Sequence, residues 1–443
     1  MKSYAARRAA LMKQMQAKGG GVAIIPTAPE VMRNRDSDYP YRHDSYFYYL
    51  SGFDEPEAVI VLIAGEKNQS ILFCREKNLE REIWDGYRYG PEAAREAFGF
   101  DVAHAVSALD AEMPKLLANA PALFYALGSD SKLDRQVQDW LQAVRMQSRA
   151  GIVAPSVVHD VHVLLDEMRL IKDDAEIAIM KRAAAISAEA HRRAMQTCRP
   201  GLREYHLEAE LLHEFRRNGS QYPAYGSIVA TGANACVLHY RASDAEIRDG
   251  DLVLIDAGCE LDSYASDITR TFPASGKFTG PQKALYEIVL ASQAAAIAEI
   301  CPGKRFMDGH DAAVRVLAQG MLDTGLLDKN KVGSLDDVIE KGAYRQFYMH
   351  RTGHWLGMDV HDVGEYREAT VLAGEKPWRA LQPGMVLTVE PGIYVRPEPG
   401  VPEAFWNIGI RIEDDALVTE NGCDIITEAA PKTVADIEAV MKR

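Results

Sequence analysis

Five side chains in the second half of the chain have the right types to hold metal: Asp256, Asp267, His354, Glu390 and Glu413. They occur in DLVLIDAG, SDITRTF, HWLGMDVHD, MVLTVEPG and GIRIEDD, apolar and strand-like settings that ordinarily exclude charge. Carboxylates are rarely buried unless they are paired or bound to metal. Each residue alone has an ordinary alternative. Asp256 or Asp267 fits a turn or a cap, Glu390 fits an ion pair with Arg411, and His354 beside Trp355 fits a satisfied core imidazole. Taken together, four carboxylates and one imidazole read as ligands for two divalent cations. The set is dominated by oxygen, which suits Mn²⁺ and similar ions better than a thiolate zinc site. Four carboxylates also balance two divalent ions, whereas one ion would leave the site strongly anionic. Two ions roughly 3.5–4 Å apart can share a hydroxide and clamp a tetrahedral intermediate.

The elements around these residues must bring them together. Asp256 closes the apolar run LVLI, and Asp267 follows eleven residues later, after the turn-rich segment GCELDSY. This pattern predicts a hairpin with the two aspartates across from each other. Glu390 ends MVLTV just before a Pro-Gly break. Arg411 and Glu413 stand two apart in a strand pattern, so both are expected to face the site.

The chain has 443 residues, enough for two or three domains. Its hydrophobic fraction of 47% and charged fraction of 26% are those of a globular protein. The formal charge of −14 argues against nucleic acid as a partner. No apolar run is long enough to span a bilayer, so no membrane partner is expected. Six cysteines are scattered without CxxC or zinc-finger spacing, which fits free thiols in a reducing, cytoplasmic setting. The basic start MKSYAARRAALMKQMQ reads as a first helix, with a mitochondrial presequence as the alternative.

Up to about residue 165, strand-like runs alternate with helical ones, an α/β pattern. GGGVAIIP, FYYLSGF, AVIVLIAG and SILFC are the expected strands, and EAAREAFG and AEMPKLLANA the expected helices. Long helices then begin at Asp173-Asp174, stop at Arg199-Pro200-Gly201, resume, and end at Gly219. Further helices are expected near 281–300 and 308–325. The division is therefore 1–170 and 171–443. Walker A, GxGxxG and HExxH patterns are absent from the chain.

DAGCELDSYASDITRTF, HWLGMDVHDVG, MVLTVEPGIYV and IGIRIEDD together resemble the peptidases of the pita-bread fold. That group includes aminopeptidase P, prolidase, methionine aminopeptidase and the metal-free creatinase. YPYRHDSYFYYLSGFDEPEAVIVL resembles the N-terminal domain of the aminopeptidase P type, so the likeness spans nearly the whole chain and is nearest to the Xaa-Pro aminopeptidases. It implies an α/β (α+β) class, with a creatinase-like α/β domain over 1–170 followed by a pita-bread catalytic domain over 171–443. It also implies that Asp256 binds one ion and Asp267 bridges, while His354 and Glu390 bind the other and Glu413 bridges. Mn²⁺ is the expected ion, with Co²⁺, Zn²⁺ or Fe²⁺ as alternatives. Creatinase lacks this ligand set.

The resemblance assigns supporting roles as well. His239 in NACVLHY is expected to line the substrate pocket. His350 and His361 resemble residues that hold the scissile carbonyl and assist proton transfer, and Arg411 resembles one that supports the site electrostatically. The ordinary reading of His361 is a strand-end histidine bonded to Asp362. Arg351 departs from the family, where a small residue often follows the equivalent of His350. The implied activity is removal of the N-terminal residue from peptides with proline second, through a hydroxide bridging two metal ions. Glu390 would then pass a proton to the leaving proline nitrogen, and His361 would stabilise the oxyanion. Prolidase shares the ligands but cleaves dipeptides. Methionine aminopeptidase fits less well beside a full N-terminal domain, and a non-catalytic pita-bread binding protein typically lacks the ligands. A homodimer or homotetramer is implied. In such an assembly Trp84 could reach a neighbour's pocket, although a core tryptophan is the plainer expectation.

Overall fold

The computed structural model describes residues 4–241, 244–368 and 376–442. Two compact units divide the chain, Met1–Arg169 and Leu170–Arg443.

The first unit opens with the helix Tyr4–Ala17, which buries Leu11, Met12 and Met15. Its six-stranded mixed sheet runs in the order Val102–Ala105, Gln69–Cys74, Val59–Ala64, Gly21–Pro26, Ala122–Phe124, Val157–His159. Val22 and Ile24, two apart and therefore on one face, pack with Val61, Ile71 and Phe73 against the helices Leu109–Leu117 and Ser131–Arg145. The second of these helices is started by Asp130, whose side chain accepts from the Lys132 and Leu133 backbone N–H groups.

Two expectations fail in this unit. FYYLSGF is not a strand: Ser45–Ser51 is a helix, capped by the Asp44 side chain on Phe47 N and ended by Gly52 at φ 67°. An N-cap and a left-handed glycine eight residues apart decide the conformation against the β preference of the aromatics. Trp84 is not in the core. It lies 83% exposed on the helix Leu79–Asp85, which buries none of its residues.

The second unit starts with the helix Asp174–Thr197, held by a capping box in which Asp173 and Glu176 satisfy each other's backbone N–H groups. It pairs with the helix Glu204–Arg217. The helices Gly280–Ala298 and Phe306–Asp323 also pack together, and a Cβ at Gly320 would stand 2.5 Å from Ile288, so only glycine allows this approach. Between and beside the helices are short antiparallel sheets. Leu252–Asp256 is central between Ile228–Thr231 and Thr269–Pro273, Val386–Val389 pairs with Asp414–Val418, and Gly392–Val395 pairs with Ile408–Arg411. Phe272, Val289, Leu317, Ile393 and Ile410 belong to one buried apolar cluster behind them.

The expected hairpin exists with a different register. Asp256 faces Thr269, and Asp267 lies two residues before that partner. The connection is itself a small hairpin, Cys259–Leu261 against Tyr264–Ala265, turning through Asp262 and Ser263 at positive φ. Gly258 closes it, because a Cβ there would meet Ser266 O at 1.7 Å. Among the described residues, no helix is long and apolar enough to cross a membrane, and the six cysteines are free thiols.

Candidate metal centre

Five backbone segments deliver the candidate ligands to one cavity of about 670 Å³ in the second unit. Asp256 ends its strand, Asp267 precedes the next, Glu390 follows Val386–Val389, and Glu413 lies between Ile408–Arg411 and Asp414–Val418. His354 is not on a strand. It lies in an irregular segment anchored to the sheet by a bridge between Trp355 and Leu387 and by its own N–H to Thr388 Oγ1 at 3.1 Å.

The geometry is convergent. Asp267, His354 and Glu413 each offer a ligand atom, all within 4.8 Å of one another. His354 Nδ1 donates to Trp355 O at 2.9 Å, which aims Nε2 at Asp267 Oδ2, 3.5 Å away, and at Glu390 Oε1, 3.9 Å away. The Tyr225 hydroxyl lies between Asp256 Oδ1, at 2.6 Å, and Asp267 Oδ1. Arg411 donates from Nη2 to Asp256 Oδ2 at 2.6 Å and from Nε to Thr269 Oγ1 at 3.1 Å, while that same hydroxyl donates to Glu413 Oε2 at 2.7 Å. Arg411 and Glu413 thus face the same way, and they meet at Thr269.

The supporting histidines separate by environment. His350 donates from Nδ1 to Arg351 O at 2.7 Å and accepts at Nε2 from the Tyr394 hydroxyl at 2.8 Å, with Glu390 Oε2 3.7 Å from Nδ1. Tyr394 in turn accepts from Arg411 Nη1 at 3.0 Å. The His361 ring stacks on that of His354 with centroids 3.9 Å apart. His361 is an exposed bend residue, not a strand end, and Asp362 engages Lys172 at 2.9 Å in a pair whose side chains are each 1% exposed. His239 lines the same cavity.

Protonation reflects crowding of like charge. Burial, reinforced by Asp267, Glu390 and Asp256, pushes Glu413 well above the carboxylate range. Burial lifts Glu390 to about 7 against the pull of His354 and Arg411. Asp256 is raised by burial, which outweighs Arg411. Burial opposes ionising Asp267, but the His354 imidazole and the Tyr225 hydroxyl outweigh it and hold this carboxyl low. Burial alone would depress His354, yet Asp267 and Glu390 raise it to about 9. Burial and Arg411 drop His350 to about 3, so its imidazole is neutral. His361 is lowered by burial and by His354. Four acids crowded beside one arginine, three of them pushed up by burial, form a mostly oxygen donor set of the kind that suits divalent cations.

Sequence reasoning did not identify Tyr225, Tyr394 or Thr269 as parts of this site. Thr269 carried a signal: it is two residues beyond Asp267 in a strand pattern and therefore on the same face. Tyr225 and Tyr394 had none, because each reaches the centre through tertiary packing.

Residues 178–420 match the profile of Metallopeptidase family M24, and residues 4–125 match that of Aminopeptidase P, N-terminal domain. The chain belongs to metallopeptidase family M24, as a pita-bread domain that follows an N-terminal domain of the aminopeptidase P type. It is 47% identical over 437 residues to the Xaa-Pro aminopeptidase of Escherichia coli (strain K12), covering 98% of this chain and 96% of that protein. It is similar to the structure of Pseudomonas aeruginosa aminopeptidase PepP, with TM-score 0.94 and 51% identity over 99% of this chain and 97% of the other. It is equally similar to a zinc-substituted E. coli aminopeptidase P in complex with product, with TM-score 0.94 and 45% identity over 99% and 98%.

Proposed function

We propose that this chain is a metal-dependent exopeptidase that releases the N-terminal residue from peptides with proline at the second position. The observation that carries the reading is the convergence of Asp256, Asp267, His354, Glu390 and Glu413 on a single open cavity. Its near relatives are Xaa-Pro aminopeptidases, which supports the preference for proline.

Asp256 and Asp267 would hold one divalent ion and His354 and Glu390 the second, with Asp267 and Glu413 shared between them. Mn²⁺ is the favoured pair, with Co²⁺, Zn²⁺ or Fe²⁺ as alternatives, because the donors are mostly oxygen. When bound, such ions supply Lewis acidity, making a water nucleophilic near neutral pH and polarising the scissile carbonyl. The protein does the rest. Glu390 would take a proton from the attacking water and deliver it to the proline nitrogen. A tertiary amide nitrogen must be protonated to leave. His361 at the cavity wall donates to the developing oxyanion. His350, kept neutral and aimed by Tyr394, and His239 position the peptide, while Arg411 holds Asp256 and Glu413 in register through Thr269.

We also infer a cytoplasmic homodimer or homotetramer without nucleic-acid partners. Free cysteines and the −14 charge support the first and last points. The helix Leu79–Asp85, with Ile83 81% and Trp84 83% exposed, supports association. One experiment tests the whole reading. Chelated protein, characterised for mass by sedimentation, is assayed before and after Mn²⁺ add-back on Xaa-Pro dipeptides and on longer Xaa-Pro peptides. Metal-dependent release from the longer peptides is expected. Turnover of dipeptides alone would identify a prolidase, and turnover in the metal-free protein would refute the centre.

A further inference from the structure

We propose that Arg351, together with Arg241, forms an anion subsite at the mouth of the cavity, selecting peptides that carry a carboxylate beyond the proline. The inference rests on the hydrolytic reading above and names a substrate class within it.

Both arginines line the cavity that holds the metal ligands, and both are exposed. The acids deeper in are occupied: Asp267 is 4% and Glu413 2% exposed, and Arg411 takes Asp256. Among the described residues, neither Arg351 nor Arg241 has a carboxylate partner. Their charge therefore points into the opening of a protein whose net charge is −14. Arg351 is not free to wander. Its guanidinium stands 5.3 Å from the centroid of the Trp378 ring, which also carries Arg367 at 3.3 Å. Two guanidiniums on one indole fix the orientation of Arg351 and add positive charge beside it. A pre-ordered cation loses less entropy when it captures an anion.

The position along the substrate follows from the neighbours. Arg351 directly follows His350, whose Nδ1 is 3.7 Å from Glu390 Oε2. Glu390 serves the leaving nitrogen, so the chain after proline departs on the side of His350 and Arg351. An extended residue advances the chain by roughly 3.3–3.6 Å. The carboxylate presented there belongs either to the peptide's own C-terminus or to an acidic side chain in the first positions after proline. The chemistry is the same for both.

The test uses the full-length protein loaded with Mn²⁺ and four matched peptides: Ala-Pro-Ala, Ala-Pro-Ala-amide, Ala-Pro-Asp-amide and Ala-Pro-Asn-amide. KM is expected to favour the carboxylate member of a pair by about five- to twentyfold, the scale of a charge-assisted contact at a partly solvated site. The first pair reports the terminal carboxylate and the second the side chain. R351G should reduce that ratio, R351K should retain part of it, and R351E should reverse it. Added salt should shrink it in the wild type. Calorimetric binding of Pro-Ala and Pro-Ala-amide reads the same preference without turnover. If no peptide is hydrolysed while the R351-dependent binding preference persists, the hydrolytic reading fails and the subsite stands. Ratios near one in the wild type, or unchanged in R351G and R351E, overturn the subsite.

Discussion

Thr269 joins the two charge systems of the centre through one hydroxyl, donating to Glu413 and accepting from Arg411. Around it, each ligand has a distinct burden. Glu390 and His354 face each other across the centre, with Glu390 Oε1 3.9 Å from His354 Nε2. Replacing either with alanine is expected to abolish peptidase activity with little change in the midpoint of urea unfolding. Near-normal turnover with Mn²⁺ present would remove that residue from the centre. His361→Ala should lower kcat by about 10²–10³-fold, the scale seen when an oxyanion donor is removed, with KM changed less. A loss confined to KM would instead make His361 a binding residue. That these five side chains share one cavity was legible in the sequence for a physical reason: charged groups embedded in apolar runs need something to bind. The tyrosine partners were not, because tyrosine is an ordinary residue of apolar strands and carries no such contradiction.

At the scale of elements, the segment that carries His354 and His361 has little regular structure and needs other means to hold it. One is the Lys172–Asp362 pair, both side chains 1% exposed, reinforced by Lys172 N donating to Gly384 O at 2.9 Å. Removing one member of such a pair leaves an unpaired buried charge. Lys172→Ala is expected to destabilise the protein by roughly 3–5 kcal/mol in urea titration. Lys172→Ala combined with Asp362→Leu should recover much of that. An additive double mutant would show that the two side chains are not coupled. This clamp was invisible in the sequence because its partners lie 190 positions apart. The misread segment FYYLSGF shows the converse. Its aromatic content argued for a strand, while the deciding residues, Asp44 and Gly52, flank the helix Ser45–Ser51 as cap and stop. Long helices with matched caps, such as Asp174–Thr197, were legible because every local signal agreed.

For the whole molecule, acid stability follows from buried imidazoles outside the metal ligands. Burial lowers His43, His191 and His310 to about 4. His191 is fully buried, and its Nε2 donates to Ala257 O at 2.9 Å. An unfolded chain takes up a proton at these rings near pH 6.5, whereas the folded protein refuses it until about 4. Their contribution is therefore complete above pH 6.5 and is lost as pH falls toward 4, on the order of 3 kcal/mol for His191 alone. Unfolding free energy from urea titrations should decline across this window, and His191→Gln should flatten the decline. An equal slope in wild type and variant would exclude His191 as a contributor.

The glycines around the centre have an implication for how this protein can change over generations. A methyl group at Gly258 would press on Ser266 O at 1.7 Å, at Gly353 on Thr388 O at 2.0 Å, and at Gly357 on Asp362 at 2.1 Å. Substitution is therefore blocked sterically around the reactive interior before chemistry is even considered. The mouth is under no such restraint, since Arg241 and Arg351 stand in the open. New diets of peptide can be acquired by drift at the entrance while the hydrolytic engine behind it stays untouched.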